Sequence, residues 1–503
     1  MERKELISLA FFLTLISIIV MDAALILPNQ VLIAADLLSS DIANALPMIG
    51  LMIGVYTLIA GGSTLLFGYL TDIVKRKNLL LFSGFLWALT ASLHFFVLEF
   101  WQLFILRMFA ALATGVTTPV AFSFLADIVP SDSRSKAFAW WGLITTLGGL
   151  IAGAIALAFN QIPYEKIDPE TEGIKNNLTY IINNYPNLLD TWRIPFLYLG
   201  LFALILTILN IFFTREPKRA ASEKVFEDLS EDELQYSYRI KKEDLKYIFK
   251  RKSNFFLIMN LFDVVASGIL VAFIFPYINL EMGISFGDPS GLAKVIVLLL
   301  IAAPLGFIVG QFGISHYADK KVQSGEITGR IKVATICGIL NLPFLLFAFT
   351  MSPNVRNSSF FFGMVGVDEV TFWILWIIFA SFLGIGLAFT FGIAPNWYAS
   401  LIDINFPEHR GTMIAMASFL DAIGRALGAI FGGIFIGITD SIAGTIFWAT
   451  LIFGVVSTCF WIPLFYTCQE DFDEVQSVMK QRAEEMKRKS SNEETTLSQG
   501  KEQ

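Results

Sequence analysis

The chain has 503 residues, of which 55% are hydrophobic and 16% charged, and its mean hydropathy of +0.64 excludes a soluble globular domain. The formal net charge of −7 says little about partners, because acidic residues are weak topology signals in a membrane chain; no nucleic-acid partner is expected.

A bilayer core about 30 Å thick needs about 20 apolar residues per crossing helix, and twelve runs of that kind occur. The first, 7–34, follows "MERKE" directly, lacks a small-residue cleavage site and is expected to be a mature span; it carries Asp22, Asn29 and Gln30. The second, 44–71, holds Tyr56 and closes on "GYLTDIVKRK", with Gly68, Asp72 and Arg76. The third is 78–98. The fourth, 101–126, holds Arg107 and closes on "ADIVPSDSR", with Asp127 and Arg134; the fifth, 137–159, contains Thr145, Thr146 and Gly148. A long loop, 160–193, is expected to hold a short helix around "NNLTYIINNY", and the sixth span is 194–213.

A charged linker, 215–252, then precedes the seventh span, 254–281, with Asn260, Asp263 and Tyr277. The eighth, 291–317, ends in "SHYADKK", which contains Asp319; the ninth is 331–351. The tenth, 370–402, closes on "IDINFPEHR", with Asp403 and Arg410. The eleventh, 411–438, contains "SFLDAIGRALGAIF", in which Asp421 and Arg425 lie four residues apart, and the twelfth is 443–467. The expected organisation is a six-helix unit over 1–214, the linker over 215–252, a second six-helix unit over 253–470 and a partly disordered tail over 471–503. Each span is expected to be helical, since a backbone in hydrocarbon must satisfy its own hydrogen bonds.

With both termini placed in the cytoplasm, the inner segments hold 29 of the 36 Lys and Arg, in agreement with the positive-inside rule. The halves also share a spacing. "ADIVPSDSR" and "IDINFPEHR" each place an Arg seven residues after an Asp with a Pro between, and the same register sets Gly148 against Gly424 and Ala152 against Gly428. A repeated six-helix unit is a mark of secondary transporters, with a substrate site near the midplane between repeats.

Gly68, Asp72 and the basic cluster of "GYLTDIVKRK" resemble the signature loop of the major facilitator superfamily; "SHYADKK" resembles a second copy, and "TWRIPFLY" at the mouth of the sixth span resembles the family too. Within it, "GYLTDIVKRKNLLLFSGFLWALTASL" followed by "FWQLFILRMF" is most similar to spinster-type transporters, which carry sphingolipids, lysolipids or related amphiphiles. The resemblance implies an all-α membrane protein of twelve helices in two pseudo-symmetric bundles. It also implies a gate at the cytoplasmic ends, built here from Gly68, Asp72, Arg76, Asp127, Arg134, Asp319, Asp403 and Arg410. Charge-assisted or helix-dipole contacts of about 0.5–3 kcal/mol each bias such a gate without freezing it. Asp22 and Arg107 match the first-helix Asp and fourth-helix Arg that spinster-like proteins associate with proton coupling, although Ala23 and Thr114 stand where that family has Arg and Glu.

A charge at a helix centre costs about 2.5–3.5 kcal/mol on insertion scales and turns to a bundle interior or a wet cavity. Asp22, Arg107, Asp263, Asp421 and Arg425 are therefore the expected substrate- or proton-handling residues, facing a hollow shared by the two units. Asp421 and Arg425 share a helix face. Asp22→Asn or Arg107→Ala is expected to abolish gradient-driven flux with folding intact. No phosphate-binding GxxxxGK[ST] loop, metal-ligand spacing or nucleophile elbow is present, so neither an enzyme nor a resident cofactor is expected. The expected protein is a monomeric, multi-pass secondary transporter of the cell membrane, handling a small organic or lysolipid-like solute with protons and surrounded by membrane lipids. Its rivals are a passive uniporter and a non-transporting receptor or scaffold on the same fold.

Overall fold

A computed structural model describes residues 3–38, 44–128, 148–149, 151–164, 174–216, 251–326, 328–350, 368–405, 407–475, 477–478 and 481. Eleven helices among them are long and apolar enough to cross a membrane: Leu6–Leu37, Ala45–Thr71, Arg76–Phe96, Phe100–Ala121, Pro186–Phe213, Lys252–Glu281, Pro289–Gln323, Gly329–Thr350, Glu369–Leu401, Met416–Thr439 and Ile442–Trp461. They correspond to every expected span except the fifth, which is described only from 148 and is helical over 151–159. The chain is an all-α membrane protein, as its sequence predicts. The expected short helix of the long loop is present at Ile174–Asn184. Most of the linker, the loop after the fourth span, and the tail beyond 481 lie outside the described residues.

Three of the deviations from α-helix adjoin a proline, which removes a donor and crowds the preceding turn. The first span breaks at Met21 and again at the 3-10 turn Leu27–Asn29 around Pro28. The seventh widens into a π-turn at Tyr277–Glu281 after Pro276, and the eighth at Leu305–Ile314 after Pro304. Such a break frees side chains and carbonyls to reach sideways. Asn160 Nδ2 donates to Pro28 O at 2.9 Å.

The two halves pack alike. A methyl group on Gly148, in the fifth span, would meet Ser17 and Met21 of the first, and one on Gly424, in the eleventh, would meet Leu261 and Val264 of the seventh. The Gly148–Gly424 register of the sequence is therefore also a register of helix contacts. Paired carboxylates close the far end, opposite the termini. Asp36, late in the first span, accepts from Trp192 Nε1 at 2.9 Å and pairs with Arg193 at 2.7 Å, both at the start of the sixth. Glu281, late in the seventh, accepts from the backbone N–H groups of Ile442 and Ala443 at 2.5 and 2.9 Å, at the start of the twelfth, where the helix dipole favours a negative charge. The "TWR" of the sequence thus anchors two helices of one half.

The described contacts between halves run from that far end along the second and eleventh spans. Gly50 and Gly54 of the second span lie against Ala429, Ala426 and Ile430 of the eleventh, and Gly433 lies against Leu46 and Pro47. Gln30 Nε2 crosses to Ala272 O at 2.6 Å, and Asn177 Nδ2, in the short loop helix, donates to Leu280 O at 2.9 Å. Further toward the termini a methyl on Gly61 would still meet Ala422 of the eleventh span, whereas ones on Gly62 and Gly68 would meet open space.

Candidate functional site

The membrane-depth charges fall into two sets, one in each half, instead of converging on a single hollow. In the first half Asp22 sits directly after the Met21 break. It accepts from Arg107 Nη1 at 2.5 Å and from Trp87 Nε1 at 3.1 Å, and the Asp22 and Arg107 side chains are 1% and 4% exposed. The Tyr56 ring lies 4.2 Å from the Arg107 guanidinium carbon, and its hydroxyl donates to Thr114 Oγ1 at 3.0 Å. Thr114, where the resemblance implies a Glu, thus belongs to the same cluster without adding a charge. The pair is sealed from solvent in this conformation. Breaking it by removing one partner would leave an uncompensated buried charge, at a cost of about 3–5 kcal/mol, which corrects the expectation that single substitutions leave folding intact.

In the second half Asp263, Asp421 and Arg425 line one cavity of about 290 Å³, formed within that half by spans seven, nine, ten, eleven and twelve. Arg425 Nη2 pairs with Asp421 across one helical turn; Arg425 is 57% exposed and Asp421 12%. The walls include Leu270, Leu345, Phe391, Trp397 and Tyr398. Trp397 is fixed by donating Nε1–H to Leu257 O at 2.7 Å. The site is a charged spot in an apolar chamber, its ion pair open to solvent on the Arg425 side and so partly screened.

Of the other path candidates, Asn260 lines this chamber, Asn29 bonds locally to Leu25 O at 3.2 Å, and Gln30 bridges the halves. Tyr277 packs edge-on against Phe349, with ring centroids 5.4 Å apart. Thr145 and Thr146 lie outside the described residues.

The gate residues near the termini are placed unevenly. Asp319 and Asp403 are bridged by Arg330, which contacts Asp319 Oδ1 through Nη2 at 2.8 Å and Asp403 Oδ2 through Nη1. The forked guanidinium suits two carboxylates at once. Arg76 is buried and donates from Nη1 to Ser123 O at 3.1 Å, while Glu216 accepts from the backbone N–H of Arg76 and of Lys77 at 3.1 and 2.8 Å. Glu216 therefore caps the third-span helix and pairs with Arg76 at 3.3 Å. Gly68 has the open side noted above; the side chains of Asp72, Asp127 and Arg410, and all of Arg134, lie outside the described residues. Sequence reading missed Arg330 and Glu216. Arg330 stands eleven residues after Asp319, whereas Arg76 stands four after Asp72, so motif spacing hid it. Its place at the start of the ninth-span helix, as Arg76 begins the third, was the available signal.

The family profile described as "Major Facilitator Superfamily" matches residues 7–429. The chain is 23% identical over 397 residues to "Multidrug resistance protein 3" of Bacillus subtilis (strain 168), covering 73% of this chain and 68% of that protein. In fold it is similar to a bacterial homologue of the human lysosomal transporter Spinster in an inward-facing, unoccupied conformation, with TM-score 0.63, 16% identity, and coverage of 94% of this chain and 99% of that one. A D-xylose–proton symporter is similar at TM-score 0.62 and 14% identity, with coverage of 91% and 97%. At these identities the structural likenesses are of fold alone.

Proposed function

The chain belongs to the major facilitator superfamily, a family of membrane transporters and not of enzymes, and from that premise we propose a secondary active transporter. It moves a small organic or amphiphilic solute by alternating access and is coupled to protons. The termini lie in the cytoplasm, given the distribution of Lys and Arg, and the protein works in the cell membrane as a monomer. One observation carries this reading: the halves meet along a seam between the second and eleventh spans, from Gly433 and Gly50 at the end away from the termini through Gly54 to Gly61, with the Gln30–Ala272 bond beside it, while an added methyl on Gly68, nearer the termini, would meet open space. Two similar bodies joined along such a seam can rock about a central site. The gate ties at Arg330 and Arg76 sit at the end that would close next, and charge-assisted contacts of this kind are of a strength that can break and re-form.

Coupling is assigned to carboxylates at membrane depth. Asp22 would take up a proton when it leaves Arg107, and its complete burial beside that Arg supports a state-dependent lock. The same burial favours a second reading, a passive uniporter in which the pair only holds helices together. Proteoliposomes separate the two. A pH gradient imposed across vesicles containing the purified chain is expected to drive uphill accumulation of a transported solute and to lose that effect with a protonophore; flux that follows the solute gradient alone, at every pH, supports the uniporter and overturns the coupling.

A further inference from the structure

The second-half chamber holds acceptors that no donor among the described residues reaches. Asn260 and Asn341 are each 4% exposed, both line the chamber, and each holds its side-chain Oδ1 buried with no partner among the described residues. Asn341 spends its donor side on Thr390 Oγ1 at 3.3 Å. Asp263, on the same wall, has no hydrogen bond or ion pair among the described residues. Arg425 is the single cation of the described lining, and Asp421 already engages it. Tyr398, the other titratable group facing in, shares a hydrogen bond with Ser418 Oγ at 3.3 Å. Two orphaned carbonyl oxygens and one unpaired carboxylate therefore surround a space whose remaining charges cancel. Buried acceptors without donors are costly, so an occupant that brings N–H groups and a positive charge satisfies all three. A carboxylate or phosphate would leave Asp263 and both carbonyl oxygens without a donor and set a second negative charge beside Asp263 and Asp421.

Resting on the transporter reading, we infer that this chamber is a binding site for a compact protonated amine with an apolar body, held by Asp263 through its charge and by Asn260 and Asn341, whose Oδ1 atoms accept from the ligand's N–H groups. The apolar body lies against Leu270, Leu345 and the aromatic wall of Phe391, Trp397 and Tyr398, faces that also favour a cation. The volume, about 290 Å³, is at the lower end of the roughly 300–1,000 Å³ of ligand sites and admits one or two fused rings. A proton on Asp263 removes the counter-charge, so amine and proton exclude one another at this carboxylate. That exclusion is the elementary requirement for exchange. Asp421 keeps its Arg425 partner throughout and does not compete.

The test is calorimetric titration of the full chain in lipid nanodiscs with naphthylmethylamine, against its alcohol and carboxylate counterparts of the same shape. The amine is expected to bind saturably at pH 8 and more weakly at pH 5, where the ligand remains a cation. Asp263→Asn is expected to weaken it roughly 10- to 100-fold, as loss of a charged hydrogen bond does, and Asp263→Glu to retain most of it. Equal binding of the alcohol or the carboxylate, absence of amine binding to the unaltered chain, or binding by Asp263→Asn as tight as by the unaltered chain overturns the inference. Should Asp263→Asn not fold, the ligand series and the Glu variant decide the matter alone. Failure here with proton-driven flux or gate motion intact removes the amine site and leaves the transporter reading standing.

Discussion

Arg107→Ala is expected to abolish proton-driven flux and also to lower the thermal stability of the protein markedly, by the several kcal/mol that a stranded buried carboxylate costs. The distinguishing experiment is the double variant. Asp22→Asn combined with Arg107→Met removes both charges, and replacing a buried pair with neutral groups of similar volume is often neutral or stabilising; its thermal midpoint should return most of the way to that of the unaltered chain. Flux should not return, because no titrating group remains at that position. Trp87 Nε1, which donates to Asp22 Oδ1 in the unaltered chain, would still find an acceptor in the introduced amide carbonyl, so local packing is preserved. Melting curves and vesicle flux on the two singles and the double form a closed cycle. Single variants as stable as the parent would contradict the sealed-pair account; a double variant with normal coupled flux would remove Asp22 and Arg107 from coupling.

Gly433→Leu is expected to hold the far end open. A first methyl there would lie 2.9 Å from Leu46 O, 3.0 Å from Pro47 Cα and 3.3 Å from Gly50 Cα, all backbone atoms that cannot rotate away. Overpacking of this kind costs about 1–3 kcal/mol, and the upper figure corresponds to more than a hundredfold in a two-state balance. The cost falls only on the conformation in which the eleventh span meets the second. Flux should drop by a similar factor, while Gln30→Cys, at a position now fully buried, should become reactive toward a membrane-impermeant maleimide. Normal flux with Gln30→Cys still protected would show that the Gly433 contact is not part of a moving interface.

Much of this fold is legible in the sequence because a membrane reduces the problem to helices and their length. The twelve apolar runs and the half-to-half register of Gly148 and Gly424 follow from residue type and spacing, and the association of Asp22 with Arg107 from the resemblance to spinster-type transporters. The partition of charges did not follow. Hydropathy places Asp22 and Asp263 at depth, yet only packing decides that Trp87 and Tyr56 enclose the first while the second is left facing a chamber inside one half. Arg330 escaped for a related reason, since its two carboxylate partners lie 11 and 73 residues away in sequence and no local pattern joins them. Asn260 and Asn341 are ordinary amides in sequence; their significance comes from what fails to reach them.

The central claim is that the halves rock, closing one end as the other opens. It is tested most directly by spin-label distances in nanodiscs on a cysteine-free background. One label pair sits at Tyr69 and Tyr317, exposed near the termini end of the second and eighth spans, and another at Leu98 and Ile438, exposed at the far end. As pH is stepped across the coupling range, the account predicts two distance populations for each pair, with the first shortening as the second lengthens. Single, unchanging distances for both pairs at every pH, with solute present and absent, would contradict it.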